Sequence, residues 1–189
     1  MSVATMPTVM TTEDLLALPE NGFKRWLIRG KLRQQPMTVR NRWHSRLLIR
    51  IAFLLESWLE LQPLPRGSVL GGEVGVRLRR NPDTTVGIDL IYIAAALAAQ
   101  EMEGTTLIDG VPVLAVEILS PSDTEEQINE KVDDYLLAGV QLVWVIDPHD
   151  RTVTIYRPNQ APELVNIHQE LSGEPHLPGF RVPVSQIFA

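Results

Sequence analysis

The chain has 189 residues, 44% apolar and 21% charged, with no cysteine and a net charge of −6. That length suits a single domain, residues 1–189, and the composition excludes wholesale disorder, disulfides and thiolate metal sites. The sequence has no apolar run of membrane-spanning length and no basic and apolar leader at its start, so the expectation is a cytoplasmic protein without membrane attachment.

Charge is unevenly placed. From Phe23 to Arg50 there are nine basic residues (Lys24, Arg25, Arg29, Lys31, Arg33, Arg40, Arg42, Arg46, Arg50) and no acid, which leaves eight basic residues against all 23 acids elsewhere. A basic segment on an acidic body suggests an anionic partner, or a surface that pairs with its own acidic remainder.

In chain order, residues 1–10 read as a loose start. Thr11 to Leu18 reads as a short capped helix stopped by Pro19. Trp26 to Leu32 reads as a hairpin turning at Arg29-Gly30. Thr38 to Trp43 leads into a long helix, with Trp43, Leu47, Ile51, Leu54, Leu55 and Trp58 at helical spacing and Pro63 and Pro65 at its end. Arg42, Arg46 and Arg50, four residues apart, form a basic stripe on its opposite face. Val69 to Arg79 is a strand whose glycines hint at a bulge, and Asn81-Pro82-Asp83 is a turn. Val86 to Ile93 is an apolar strand carrying one acid, Asp89, and Ala94 to Met102 reads as a helix ended by Gly104.

Val113 to Pro148 organises the rest. Val113 to Val116 reads as a buried strand followed directly by Glu117. Ser122 and Glu125 have capping-box spacing, so a helix starts near Asp123 or Thr124. Ile128, Val132, Tyr135 and Leu136 give it one apolar stripe, and Gly139 ends it. Leu142 to Ile146 is a second strand, closed by Asp147-Pro148. Strand, crossover helix and strand make a parallel βαβ unit. Thr152 to Tyr156 and Glu163 to Ile167 are further strands, and Leu177 to Phe188 is a docked tail ending in a short strand or helix.

Asp89 and Glu117 interrupt strands that otherwise read as core. Such acids either pair with an arginine or cap an amide, or they converge to hold a hard cation such as Mg²⁺. Two carboxylates, a nearby backbone carbonyl such as that of Ile118, and water would leave positions for a phosphate oxygen. Lys131 lies beside the apolar stripe, within reach of Glu117 or of Asp134 and Gln127. His44, in the basic stretch, either contacts phosphate or packs beside Trp43. The histidines lack ligand spacing, and neither a GxSxG elbow nor a phosphate-binding loop occurs.

An acid on one strand, then Glu117-Ile118-Leu119-Ser120-Pro121-Ser122, a helical Lys131, and Val143-Trp144-Val145-Ile146-Asp147-Pro148 resemble the Uma-type restriction-endonuclease family of the PD-(D/E)XK fold. The resemblance runs from Thr11 to the Leu177–Phe180 stretch. It implies an α/β (α+β) fold with a mixed central sheet flanked by helices, and Mg²⁺- or Mn²⁺-dependent hydrolysis of DNA phosphodiesters. By this resemblance Asp89 and Glu117 hold the metal, Lys131 replaces the usual strand lysine, whose place is Leu119, and His44 matches a histidine at the start of the long helix. Ile88 stands before Asp89 where the family has proline. Trp26 stands where the family hairpin carries a glutamate, and Arg29 and Lys31 replace two further acids. These losses weaken a metal site but suit a face that grips phosphate, so Arg29, Lys31, Arg42, Arg46, Arg50 and His44 are the expected DNA contacts. The alternatives are a nuclease-fold protein that binds nucleic acid without cutting it, and a protein-interaction module. The hairpin with Trp26, or the tail, is the candidate homodimer interface.

Overall fold

The computed structural model describes residues 9–37, 41–100, 106–121 and 123–189. The expectations for residues 1–8, for Thr38 to Arg40, for Ser122 and for the segment around Gly104 lie outside them. Helix α1 (Thr12–Leu16) is capped by Thr11 in a capping box with Asp14. Strands β1 (Phe23–Ile28) and β2 (Lys31–Pro36) form a hairpin whose two turn residues, Arg29 and Gly30, both have positive φ (51° and 72°). That is the geometry of a two-residue turn matched to strand twist.

Helix α2 (Arg42–Leu59) buries His44, Leu47, Ile51, Leu54, Leu55, Trp58 and Leu59. Trp43, expected on this apolar face, is 54% exposed. The stripe begins one residue later, because His44 turns inward toward a buried acid. Strand β3 (Ser68–Arg79) runs antiparallel to β4 (Thr84–Ile93), with a register shift between Gly71 and Val74. The expected helix from Ala94 shrinks, among the described residues, to α3 (Ala95–Ala98), which has no side-chain cap. Alanine propensity alone does not hold a longer helix without an apolar face to bury.

A short strand β5 (Ile108–Asp109) pairs with β3. Strand β6 (Leu114–Ile118) is followed by α4 (Glu125–Ala138) and β7 (Leu142–Asp147), and β6 and β7 are parallel as expected of the βαβ unit. Glu117 lies within β6, one residue before its end. The helix starts where the sequence placed it, but its cap is Thr124 in a box with Gln127 and not the expected pairing of Ser122 with Glu125. Thr124 satisfies the same orphan amides two residues further on. Gly139 ends the helix in the left-handed conformation, φ 107°.

Strands β8 (Thr152–Tyr156) and β9 (Glu163–Asn166) complete the sheet, while β10 (Glu170–Ser172) and β11 (Arg181–Pro183) form a separate ribbon before α5 (Val184–Ile187). The nine-stranded mixed sheet has order β2-β1-β4-β6-β7-β8-β9, with β3 and then β5 attached to β4. One face packs Leu47, Ile51, Leu55 and Trp58 of α2 on Leu90, Val116, Trp144 and Phe180. The other packs Ile128, Val132 and Tyr135 of α4 on Ile88, Ala115 and Val143. Each such fully buried aliphatic side chain stabilises the fold by about 1.5–3 kcal/mol.

One detail of the topology creates a site. Strand β3 occupies one edge of β4 from Ser68↔Ile93 to Arg79↔Thr84. The opposite edge is shared: β1 meets it at Leu27↔Thr85, and β6 meets it from Leu90↔Val116 to Tyr92↔Leu114. Between Thr85 and Leu90 the neighbours diverge, and Asp89 sits at this fork. The core pattern changes phase there too, because Ile88 packs toward α4 and Leu90 toward α2.

Candidate active site

Extending the β4–β6 register by one pair sets Asp89 opposite Glu117. Both residues are 4% exposed. Asp89 Oδ2 accepts the Ile118 amide at 2.8 Å and lies 3.1 Å from His44 Nε2. Against a carboxylate the imidazole nitrogen must donate, which assigns the Nε2–H form. Its Nδ1 is buried and has no hydrogen-bond partner among the described residues. His44 thus contacts the candidate acid directly, rather than packing beside Trp43.

Helix α4 compensates Glu117. Lys131 Nζ donates to Oε2 at 2.8 Å and Tyr135 Oη to Oε1 at 2.6 Å. Lys131 and Tyr135 are one helical turn apart, so both point to the same spot on the sheet. Burial pulls the lysine pKa down, but the charge and hydrogen bond of Glu117 outweigh it, with Asp89 and Asp123 adding to a net rise. Burial first, and then Glu117, push the Tyr135 phenol well above its ordinary value. Lys131 is therefore a fixed cation and Tyr135 a neutral donor.

Tyr135 and Asp123 escaped the sequence reading. Tyr135 counted there as one residue of an apolar stripe; its place four residues after Lys131 was the available signal. Asp123 accepts the Ser120 amide at 2.7 Å and lines the cleft beside Lys131 and Trp26. The β3 bulge presents Glu73, which pairs with Lys24 at 2.6 Å, near Gly87.

The expected phosphate contacts divide between two regions. Arg29 pairs with Asp134 at 3.2 Å, and Lys31 lies on the same hairpin facing α4. Burial raises the Asp134 pKa, with Arg29 opposing it. On α2, Arg42 stacks over Trp43, with 4.8 Å from guanidinium carbon to ring centre. Arg46 donates twice to the Ala189 carbonyl, and Arg50 once to that of Gln186. A guanidinium has five N–H donors, so these contacts leave others available for an anion.

The donor set fits a hard divalent cation in kind: two buried carboxylates on neighbouring strands, balanced by one lysine. Among the described residues no cluster of three or more His, Cys, Asp or Glu is placed to hold a metal. Backbone carbonyls and water would have to supply the remaining donors.

A family model described as "Putative restriction endonuclease", Uma2, matches residues 12–185. The chain belongs to the Uma2 family. A nuclease-like function of the hydrolase class and a nucleic-acid substrate come with that family. The fold is also that of a solved structure, a "putative nuclease belonging to DUF820" from Anabaena variabilis. The TM-score is 0.77 at 22% identity, covering 95% of this chain and 97% of that one. No protein with a curated description matches. Among the described residues no helix is long and apolar enough to cross a membrane.

On the hairpin, Trp26 lines the narrow cleft beside Lys131 together with Val86, Gly87 and Gln127. Its indole rests on the α4-side core.

Proposed function

We propose that this Uma2 protein is a Mg²⁺- or Mn²⁺-dependent DNA endonuclease whose reacting centre is the Asp89–Glu117–Lys131 cluster. The observation that carries this is the convergence of two almost fully buried carboxylates at the fork in the sheet, with a lysine on one of them. Burying two acids this close is costly unless their charge has a use or a partner.

Asp89, Glu117 and the Ile118 carbonyl would hold the cation. When bound, it would polarise the phosphodiester and acidify a water molecule. Tyr135 and Lys131 orient Glu117, and His44 and the Ile118 amide orient Asp89. Lys131 holds its proton at neutral pH and offers positive charge to a phosphate in transfer. Arg42, Arg46 and Arg50 on α2, with Arg29 and Lys31 on the hairpin, supply sequence-independent backbone contacts.

A second reading has its own support: Trp26 in place of an acid, and two acids where a metal site commonly uses more. It is a nuclease-fold protein that binds DNA without cutting it. The deciding experiment incubates supercoiled plasmid and single-stranded circles with Mg²⁺ or Mn²⁺, comparing wild type with Asp89→Asn and Glu117→Gln. Metal-dependent nicking lost in both variants is the expected result. DNA retention in EDTA without any nicking would replace catalysis with binding.

A further inference from the structure

Two tryptophans flank the candidate centre on opposite sides of Asp123. Trp26 lines the cleft that holds Lys131 and Asp123, and Trp43 lines a groove formed with Asp123, Ser120, Pro121 and His149. We propose that the centre takes an unpaired DNA strand, with bases stacked on Trp26 and Trp43 and the intervening phosphate at Lys131. This deepens the nuclease reading and rests on it.

Trp26 rests partly on the α4-side core, whereas Trp43 differs from the structural tryptophans elsewhere in the chain. Trp144 is fully buried, and Trp58 is 7% exposed and donates its indole N–H to the Pro178 carbonyl. Trp43, by contrast, is 54% exposed, and it lines the groove beside Asp123. Arg42 covers its ring from one side, which stiffens the platform and leaves the rest to a ligand.

On the other side, Trp26 opens from the narrow cleft into a broader groove of about 570 Å³ between β2 and α4, lined by Arg33, Gln34, Gln35, Glu126, Gln127 and Glu130. The groove holding Trp43 measures about 700 Å³. Either is large enough for a nucleotide. The lining indicates which part of a nucleotide enters. In the hairpin groove Glu130 is held by Arg33 at 2.8 Å, which leaves Glu126 to give the wall a net negative charge, and the Gln34, Gln35 and Gln127 side chains add amide donors. Such a wall disfavours phosphate and suits a base edge. Stacking faces of this kind serve bases that have left the duplex, because paired bases hide theirs.

The test is anisotropy of labelled single-stranded and duplex oligonucleotides of one sequence, measured in EDTA so that nothing is cut. Wild type is expected to prefer the single strand. Trp43→Ala, on the surface, and Trp26→Leu, which keeps apolar packing, should each weaken single-strand binding by about 5- to 100-fold and leave duplex binding nearly unchanged. Equal affinity in both variants, an equal loss for both oligonucleotides, or a wild-type preference for duplex would overturn the proposal. Metal-dependent nicking with tryptophan-independent binding would overturn it while sparing the nuclease reading. Tryptophan-dependent single-strand binding without nicking would do the reverse.

Discussion

Tyr135 donates its phenolic hydrogen to Glu117 Oε1 at 2.6 Å from a position with no solvent exposure. The bond leaves Oε2 to Lys131 and fixes the rotation of the carboxylate. Tyr135→Phe keeps the ring in the core and removes only that donor. It should cost about 1.5–3 kcal/mol of stability, since the acceptor is a buried charged group. Cleavage should fall by about 10- to 100-fold, the usual effect of losing a partner that orients a metal ligand. Urea unfolding and plasmid-nicking rates measure the two effects; an unchanged nicking rate would limit Tyr135 to packing.

Lys131→Met removes the cation from Glu117. If the lysine stabilises developing charge, nicking drops by about 10²- to 10³-fold, with part of it returning in Lys131→Arg. The lysine pKa is raised above 10.5 in the folded state. Its contribution to stability is therefore fully present below the unfolded value and is lost only as pH rises through the folded one. The stability difference between wild type and Lys131→Met should accordingly be the same at about pH 7 and pH 9. A difference that shrinks across that window would show a lysine already losing its proton.

Asp83 anchors α1 to the turn between β3 and β4. It accepts the Thr12 hydroxyl at 2.6 Å and the Thr12 amide at 2.8 Å. Burial pushes its pKa up, but those bonds and the Asn81 amide outweigh burial and hold it below 3.8. Asp83→Asn should cost about 1.5–3 kcal/mol at neutral pH. A depressed carboxyl contributes stability above its unfolded value and loses it as pH falls through the folded one. The gap between wild type and variant should therefore close as pH is lowered from about 5 to about 2, read from urea midpoints.

Arg42 and Arg50 should separate in their effects. Arg42→Ala removes a cation beside Trp43 and should lower the slope of log K against log salt for DNA by about one. Arg50→Ala also releases the Gln186 carbonyl and should lower stability by about 1 kcal/mol. Salt titrations and thermal unfolding distinguish them. An unaltered salt slope in Arg42→Ala would remove α2 from the DNA interface.

Much of the site was legible because burying charge is expensive and leaves a visible mark on an apolar strand. Asp89 and Glu117 stood out as acids within core strands, and Lys131 by its place beside the helix stripe. Their partners were harder to see. His44 could not be tied to Asp89, 45 positions away, because nothing local links a helix residue to one strand among several. Tyr135 was hidden by its own apolar ring, which satisfies the helical periodicity whether or not its hydroxyl is used.

Local patterning by itself determined the hairpin turn at Arg29-Gly30, the long amphipathic helix, the parallel βαβ unit and the two acids. These depend on backbone preference and residue periodicity over a few turns or strand positions. Only the tertiary structure decided that β1 and β6 share one edge of β4, and so that the strands part at Asp89. It also decided that Trp43 faces outward and that α4 supplies both donors to Glu117. Those outcomes depend on which edges pair and which faces pack across long sequence separations, where alternative pairings share the same local pattern.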